Sequence, residues 1–194
     1  MNKPNRIRWG FSNTYVHLSV AEVQRLLEVA KAHSSRNWLA ILTMYLHGLR
    51  VSELTGLDGN SIQGDNLRVQ RLKHGFLNTQ PLYADEDPLW SEAEPMKALA
   101  RMRPGVVKLF GISRSQVFRI VQGYCQQLGF PEQRQHPHIL RHSVAMHSID
   151  SVGIHRVRQF LGQRSISSTA HYLRASDIEA SAGVFGVLKL KGKK

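Results

Sequence analysis

Cysteine, acidic residues and long apolar runs are scarce in this sequence, and each shortage excludes a class of protein. The 194 residues include one cysteine, Cys125, so no intrachain disulfide can form and a reducing compartment fits best. No apolar stretch approaches the length of a membrane span, and the N-terminal segment MNKPNRIRWG has no apolar signal-peptide core after its charges. We therefore expect a cytoplasmic protein rather than a secreted or membrane-embedded one.

The shortage of acidic residues leaves a large positive charge. Lysine and arginine number 26 against 14 aspartates and glutamates, which gives a net charge of +12 (26 − 14). A basic excess of this size is typical of a protein with a polyanionic partner, and nucleic acid is the first candidate. A membrane surface fits less well, because it requires a basic amphipathic helix with a clean apolar face and the charges here are spread along the chain.

The composition otherwise predicts one folded domain with a substantial core. Hydrophobic residues make up 42% of the chain and charged residues 21%, close to the globular norm. A domain of this length buries roughly 70% of the surface of its unfolded chain. We divide the chain into a basic N-terminal arm at 1–18, a main domain at 19–175 that carries the chemistry described below, and a C-terminal helix with a basic tail at 176–194.

Periodicity predicts a mainly α-helical fold with a small antiparallel β-sheet, an α+β class. Ser19 and Glu22 have the capping-box spacing for a helix that runs to about His33. The apolar run 36–47 predicts a central, buried helix. The segments SIQ, LRVQRL and TQPLY predict three strands, with turns at GDN and HGFLN between them. A further helix is expected in LWSEAEPMKALARM, where Pro95 either kinks the helix or lies in its first turn. The remaining helices are expected in SRSQVFRIVQGYCQQLG, in PHILRHSVAMHSIDSVG, in HRVRQFLG, around Tyr172, and in DIEASAGVFGVL.

Five positions in the last three quarters of the chain have side chains that could together act on a phosphodiester. Arg50 and Arg141 carry guanidinium groups, which can donate two parallel hydrogen bonds to phosphate oxygens. Lys73 and His138 can transfer protons, and the phenol of Tyr172 can attack phosphorus. Each also has an ordinary structural role: a surface arginine paired with a helical glutamate, an exposed hairpin lysine, a half-buried tyrosine. Taken singly, the residues leave both interpretations open.

A metal site is the alternative for the histidines of the HPHILRHS segment. His136, His138 and His142 lie close together in the sequence. No cysteine or acidic cluster accompanies them, and two-residue spacing around a proline is not a usual zinc pattern. We therefore predict no metal.

The order and spacing of these residues resemble the tyrosine recombinase (integrase) family, over roughly Ser19 to Tyr172 and thus most of the chain. The motifs are HGLRVSEL, a hairpin lysine 23 residues after its arginine, HPHILRHS, and AHYLR, whose tyrosine follows Arg141 by 31 residues. The segment RLKHGFLNTQPL resembles the short fimbrial phase-switch recombinases in particular. The resemblance implies the tyrosine recombinase catalytic-domain fold and an enzyme that cuts and rejoins DNA without metal, ATP or another cofactor.

In this family two arginines clamp the scissile phosphate. By resemblance, Arg50 and Arg141 take these roles, Glu53 holds Arg50 in position, and His138 assists proton transfer. Pro137 fixes the entry to the helix that carries His138 and Arg141.

The remaining family roles fall on the hairpin and on the C-terminal third. Lys73 becomes the general acid that protonates the departing 5′ oxygen, and Tyr172 becomes the nucleophile that forms a 3′-phosphotyrosine. Gln163 departs from the pattern, because the family usually has histidine, or sometimes tryptophan, at this position nine residues before the tyrosine. Glutamine can donate a hydrogen bond to a phosphate oxygen but cannot carry a proton, while Arg164 can compensate in charge.

Further basic side chains are expected to contact DNA, mostly at its phosphates. They are Arg6, Arg8, Arg71, His74, Arg114, Arg119, His142 and Arg164. Most family members carry a separate helical N-terminal domain. The residues before Ser19 are too few to form one, so we expect a nearly bare catalytic domain.

Three functions fit the sequence. The first is a site-specific recombinase that integrates, excises or inverts DNA, for example of a mobile element, as a homo-tetramer on paired sites in double-stranded DNA. It would be a monomer or weak oligomer when free and would work with DNA-bending accessory proteins, and its C-terminal helix would dock on a neighbouring protomer or on its own core. The second, favoured by Gln163, is a DNA-binding regulator that has lost cleavage. The third, a type IB topoisomerase, fits least because of the short length and the fimbrial-like motifs.

Overall fold

The computed structural model describes residues 16–71 and 76–162. Within these ranges the chain forms seven α-helices and one three-stranded antiparallel sheet in the order β1-β2-β3, so the predicted α+β class is confirmed. The elements in chain order are α1 (Val20–His33), α2 (Ser35–Leu46), α3 (Val51–Gly56), β1 (Ile62–Gln63), β2 (Asn66–Arg71), β3 (Phe76–Pro81), α4 (Ala93–Met102), α5 (Arg114–Gln127), α6 (His138–Val152) and α7 (Ile154–Phe160).

Helices α1 and α2 form as predicted, and α2 is the central, buried helix. The Ser19 hydroxyl accepts a hydrogen bond from the N–H of Glu22, whose carboxylate accepts one from the N–H of Ser19, so the capping box starts α1. Helix α2 is buried on most of its circumference and packs against α1, α3 and α6. Its central position explains why its sequence is apolar nearly all round.

A glycine ends α2 and lets α7 approach closely. Gly48 has a φ of +56°, which an L side chain rarely adopts, and a Cβ placed there would lie 2.5 Å from Cδ2 of Leu161. Any other residue at this position would therefore strain the backbone and push the end of α7 away. This contact places Leu161 next to Gly48, just after the end of α2.

Two local predictions differ from the structure. Helix α3 was not predicted, because its six residues are too short to show a periodic pattern. Strand β3 starts at Phe76 rather than at Thr79. The sequence predicts a turn over HGFLN, but the last three residues of that segment, Phe76 to Asn78, already pair with β2. Arg71 pairs with Phe76, so residues 72–75 connect the two strands.

Helices α4 and α5 follow the sequence signals. Pro95 lies in the first turn of α4, where its missing N–H costs no hydrogen bond. Ser113 and Gln116 form a capping box at the start of α5. Cys125 is fully buried on α5, and burial raises the pKa of its thiol to about 12, so this cysteine is part of the packed core.

A small apolar cluster fastens α7 to α6. It consists of Ala145, Ile149, Val157 and Leu161 and adjoins the main core through Val144. The carbonyls of Phe160 and Leu161, at the end of α7, thereby accept hydrogen bonds from Arg71 at the end of β2 and from Arg141 on α6.

Several predictions fall outside the described residues: most of the N-terminal arm, the helix that carries Tyr172, the C-terminal helix and the basic tail. Among the described helices, none is long and apolar enough to cross a membrane.

Candidate active site

Arg50 and Glu53 form the most accessible part of a cluster of charged side chains. Arg50 is the residue before α3, and its N–H donates to Oε2 of Glu53 at 2.9 Å. Its Nη1 also donates to Oε1 of Glu53 at 2.8 Å. The side chain of Glu53 is fully buried, whereas that of Arg50 keeps 23% of its surface exposed. The predicted role of Glu53, to hold Arg50 in position, matches this geometry.

Arg71 approaches the same glutamate from the sheet. Its Nη1 donates to Oε2 of Glu53 at 2.8 Å, and its Nη2 donates to the carbonyls of His47 at 3.2 Å and Phe160 at 3.0 Å. The side chain has no exposed surface. The residue ends a strand whose inner face packs on the core, and its side chain is buried against the carboxylate of Glu53. Contact of Arg71 with DNA stays a prediction, and it would require this side chain to leave Glu53.

Arg141 completes the cluster from the first turns of α6. It lies 1% exposed, with its Nη2 donating to the carbonyl of Leu161 at 2.8 Å and its Nη1 donating to the carbonyl of Gly48. The same Nη1 lies 3.9 Å from Oε2 of Glu53. The two predicted phosphate clamps thus meet at one glutamate although they are 91 residues apart (141 − 50) in sequence.

The cluster has more positive than negative charge. Among residues 16–71 and 76–162, three guanidinium groups surround one carboxylate, an excess of two positive charges (3 − 1) within that part of the chain. Burial acts to raise the pKa of Glu53, but the hydrogen bond from the N–H of Arg50 and the charges of Arg71, Arg141 and Arg50 outweigh it, and the pKa lies below its ordinary value. Glu53 is therefore ionised at neutral pH. An anion seated beside the exposed part of Arg50 would balance the remaining charge.

His138 lies at the start of α6 beside His142. The two rings meet edge to face with centroids 4.5 Å apart. His138 is exposed on its solvent side; desolvation by the protein on its other side, together with the positive charges of His142 and Arg141, lowers its pKa to about 4. Desolvation also lowers the pKa of His142 and of His136. The surroundings of these histidines therefore favour the neutral imidazole over the protonated form.

A buried polar network behind the arginines escaped the sequence interpretation. His47 contacts Oε1 of Gln80 through Nδ1 at 2.6 Å and Oε1 of Glu92 through Nε2, while Thr43 donates to Oε2 of Glu92 at 2.8 Å. Gln80 donates to the carbonyl of Phe160 at 3.0 Å, the carbonyl that also accepts from Arg71. The available signal was a pair of polar residues four apart, Thr43 inside the apolar part of α2 and His47 at its C-terminal cap, because buried polar groups require partners.

Two of the predicted DNA contacts lie on α5 near this cluster. Arg114 and Arg119 are exposed, and together with Val51 and Phe118 they line a shallow concave surface. Val51 directly follows Arg50, so a basic surface extends from α5 to the start of α3. Contact of these residues and of the partly exposed His142 with DNA stays a prediction.

The other predicted site residues lie outside the described part of the chain. They are Arg6, Arg8, Lys73, His74, Gln163, Arg164 and Tyr172. Among the described residues, no group of three or more histidine, cysteine, aspartate and glutamate side chains is arranged to hold a metal ion.

Comparison with known proteins points to one family. The model of the phage integrase family matches residues 17–179. The type 1 fimbriae regulatory protein FimE of Escherichia coli K12 is 29% identical over 184 residues, which cover 87% of this chain and 90% of FimE. A tyrosine recombinase of Pseudothermotoga lettingae is 34% identical over 82% of this chain and 56% of its own length.

The solved structures show the same fold. A lambda integrase tetramer bound to a Holliday junction superposes with a TM-score of 0.62 at 18% identity, over 77% of this chain and 47% of the integrase chain. The present chain thus spans nearly all of the fimbrial protein but only about half of these two longer recombinases.

Proposed function

Because the chain belongs to the phage integrase family, we propose that it is a site-specific tyrosine recombinase, which cleaves and rejoins double-stranded DNA through a 3′-phosphotyrosine intermediate. Tyr172 is the proposed nucleophile. The reaction needs neither metal nor ATP, since the phosphotyrosine conserves the energy of the broken phosphodiester for religation.

The observation that carries this proposal is the arginine-rich cluster around Glu53. The described part of this cluster has two positive charges in excess of its single carboxylate, and Arg50 still faces solvent there. These two features favour the binding of an anion with two negatively charged or polar oxygens. A phosphodiester has this form. The pentacoordinate transition state of strand transfer concentrates more negative charge on these oxygens, so a fixed cluster of this kind stabilises it more than the ground state.

We assign the two clamps different parts in this step. Arg50 is already exposed and held by Glu53, so its free edge can meet a nonbridging oxygen without rearrangement. Arg141 is buried and donates to the carbonyls of Gly48 and Leu161. It contributes its charge from this position, and it reaches the phosphate directly only if the end of α7 moves and frees its Nη2.

The proton transfers complete the step. The phenol oxygen of Tyr172 bonds to phosphorus as the bond from phosphorus to the 5′ oxygen breaks, and Lys73 supplies the proton that the 5′ oxygen takes up. By resemblance to the family, His138, three residues before Arg141 on α6, assists this step by accepting the phenol proton. Religation is the reverse sequence, with the 5′ hydroxyl as the attacking group.

The functional assembly that we propose is a homo-tetramer on two paired DNA sites, with DNA-bending proteins as accessory factors. The lambda integrase structure is a tetramer on a Holliday junction, the intermediate in which two duplexes have exchanged one strand each. A reaction that joins ends from two duplexes needs four cleavages, which four protomers with one nucleophile each can perform. Action on chromosomal DNA would place the protein in the cytoplasm, at the nucleoid.

No feature of the described residues favours the alternative of a DNA-binding regulator without cleavage, because the glutamate and both clamps are present and in contact.

A covalent-trapping assay tests the proposal. Nicked duplexes made from the DNA that flanks the gene are mixed with wild-type protein and with Tyr172→Phe, and the products are separated on a denaturing gel. We expect a protein–DNA band with the wild type and none with the variant. Complexes on a native gel without any denaturation-resistant band would instead support the regulator.

A further inference from the structure

We propose that the buried network of His47, Gln80 and Glu92 holds Arg141, the second proposed phosphate clamp, in place, with Gln80 as the central positioning residue. This inference rests on the proposed strand transfer. The three side chains belong to residues that are 2%, 6% and 0% exposed, so they act through Arg141 rather than on the DNA.

The hydrogen bonds of the network have a direction that its chemistry fixes. The carbonyl of Phe160 can only accept, so the atom of Gln80 that faces it at 3.0 Å is Nε2. Oε1 of Gln80 therefore faces Nδ1 of His47, 2.6 Å away, and this nitrogen donates. Nε2 of His47 meets Oε1 of Glu92, and Thr43 donates to Oε2 of Glu92 at 2.8 Å. A buried polar network whose members have their partners makes the surrounding structure rigid.

The network connects the C-terminal ends of two helices. His47 is the C-cap of α2, and Phe160 is the last residue of α7. Gln80 on β3 reaches the side chain of the first and the carbonyl of the second. The two helix ends are close here, because a Cβ at Gly48 would lie 3.4 Å from Cε1 of Phe160. Gln80 thus fixes the distance between the ends of α2 and α7.

The same two helix ends hold Arg141. Its Nη1 donates to the carbonyl of Gly48, and its Nη2 donates to the carbonyl of Leu161 at 2.8 Å. Each of these carbonyls belongs to the residue directly after one that the network holds. The nitrogens of a guanidinium group have fixed directions, so a change in the distance between the two carbonyls shifts or turns the whole group.

Arg71 joins the same helix ends but does not replace the network. Its Nη2 lies 3.2 Å from the carbonyl of His47, 3.0 Å from that of Phe160 and 3.4 Å from Oδ1 of Asn78. One NH₂ group has two hydrogens for these three acceptors, so its bonds are shared. Gln80 adds separate donor and acceptor atoms, and with them an independent constraint on the two helix ends.

A substrate without charge on the scissile group separates positioning of the clamp from folding. If a methyl group replaces one nonbridging oxygen, the resulting methylphosphonate is neutral, while the bonds that form and break stay the same. Its transition state carries one negative charge less than that of the natural diester and depends less on a guanidinium group. A defect in the position of Arg141 should therefore largely disappear with the methylphosphonate, whereas a general loss of structure should slow cleavage of both substrates.

The experiment compares single-turnover cleavage of the two substrates by the full chain, with the methylphosphonate at the cleavage position that covalent trapping maps. Gln80→Met is the test variant, because methionine has nearly the same length but makes neither hydrogen bond. We expect it to cleave natural DNA about 10²-fold more slowly than wild type, as is typical of a misplaced catalytic group. On the methylphosphonate it should come within about threefold of wild type. Arg141→Gln should show the same pattern.

Ser143→Ala is the matched control. Ser143 is fully buried on α6, the helix that carries Arg141, and its hydroxyl accepts from the N–H of Leu18 at 2.9 Å and donates to the carbonyl of Ile139 at 2.8 Å. The change removes one accepted and one donated hydrogen bond, as Gln80→Met does, but neither bond involves a carbonyl that holds Arg141. It should lower the melting temperature and leave the cleavage of both substrates at wild-type rates.

Equal slowing of Gln80→Met on both substrates, or wild-type cleavage of both, would overturn the inference. If Gln80→Met does not fold, Gln80→Asn decides, because its amide is one methylene shorter and cannot reach both His47 and Phe160. Slowing that the methylphosphonate relieves supports the inference, and slowing that it leaves unchanged, or no slowing, contradicts it. Absence of cleavage of natural DNA by the wild type would overturn the proposed function and this inference with it, whereas cleavage by the wild type leaves the proposed function standing however the variants behave.

Discussion

Glu53 and Arg71 form an ion pair in which neither side chain has any exposed surface, with Nη1 of the arginine 2.8 Å from Oε2 of the glutamate. Glu53 is the only carboxylate that the described residues place in contact with the three arginines of the cluster. The pair connects the sheet to α3, and through Arg50 it reaches the proposed phosphate site.

Replacement of Glu53 tests the structural part of this arrangement. Glu53→Gln would leave three buried or partly buried guanidinium groups without their counter-ion, and loss of one partner of a buried pair typically costs about 3–5 kcal/mol. We expect a decrease of this size in the free energy of unfolding, measured with urea. Glu94→Gln is the control, because Glu94 pairs with Lys97 at the surface with 74% of its side chain exposed, and it should change stability by less than about 1 kcal/mol. Equal effects of the two changes would contradict the account.

Replacement of Arg50 separates catalysis from DNA binding. Arg50→Lys retains the charge but loses the fork that meets both Glu53 and a phosphate oxygen. We expect cleavage to slow by about 10²–10³-fold, the usual effect of removing a preorganised donor at a developing charge. Affinity for intact DNA should change little, because phosphate contacts elsewhere supply most of it. A native-gel titration beside the cleavage assay checks both, and Arg36→Lys, on an exposed residue that bonds to Asn37, is the control.

The α5 surface should contribute to the salt dependence of binding. If Arg114 and Arg119 each neutralise one phosphate, alanine at either position lowers the slope of log K against log salt concentration by about 1, and the two changes together by about 2. Fluorescence anisotropy over a range of salt concentrations measures this slope. An exposed arginine on α1, Arg25, whose guanidinium lies over the ring of Phe130, provides a comparison variant. Unchanged slopes in both α5 variants would remove this surface from the DNA interface.

Acid should destabilise the folded protein through the histidines at the start of α6. The pKa of His138 is lowered to about 4 by desolvation and by its positive neighbours, and that of His142 is lowered for the same reasons, whereas a histidine in the unfolded chain has a pKa of about 6.5. Between these values the unfolded chain binds protons that the folded chain does not. The stabilisation is therefore fully present above about pH 6.5 and is lost as the pH falls towards 4.

Urea unfolding at several pH values checks this expectation. The free energy of unfolding of the wild type should fall as the pH decreases from 6.5 to 4.5, and it should fall less steeply in His138→Gln. Identical pH profiles for the two proteins would show that His138 titrates alike in its folded and unfolded states.

The helices could be predicted where their signals are local. Capping boxes at Ser19 and Ser113 mark the starts of α1 and α5, and the apolar sequence of α2 reveals a central helix. Helix α3 and the start of β3 could not, because six residues carry no period and the turn-like residues of HGFLN are partly held in a strand by β2. The two strands are close in the sequence, yet the pairing between them cannot be seen in the residues of HGFLN alone.

The chemistry was predicted from family resemblance, and the burial of its residues was not. Arg71 looks like a surface arginine near a hairpin, and only its contact with Glu53, 18 residues earlier, shows that it is buried. His47, Gln80 and Glu92 form one network across separations of 33 and 45 residues, which no motif links. Partners brought together by tertiary packing decide which charges face solvent.

The identity of the nucleophile is the central claim, and mass spectrometry of the trapped protein–DNA complex tests it most directly. After nuclease and protease digestion, the account predicts a nucleotide joined through its 3′ phosphate to the peptide that contains Tyr172. An adduct on any other residue, or one joined through a 5′ phosphate, would contradict it.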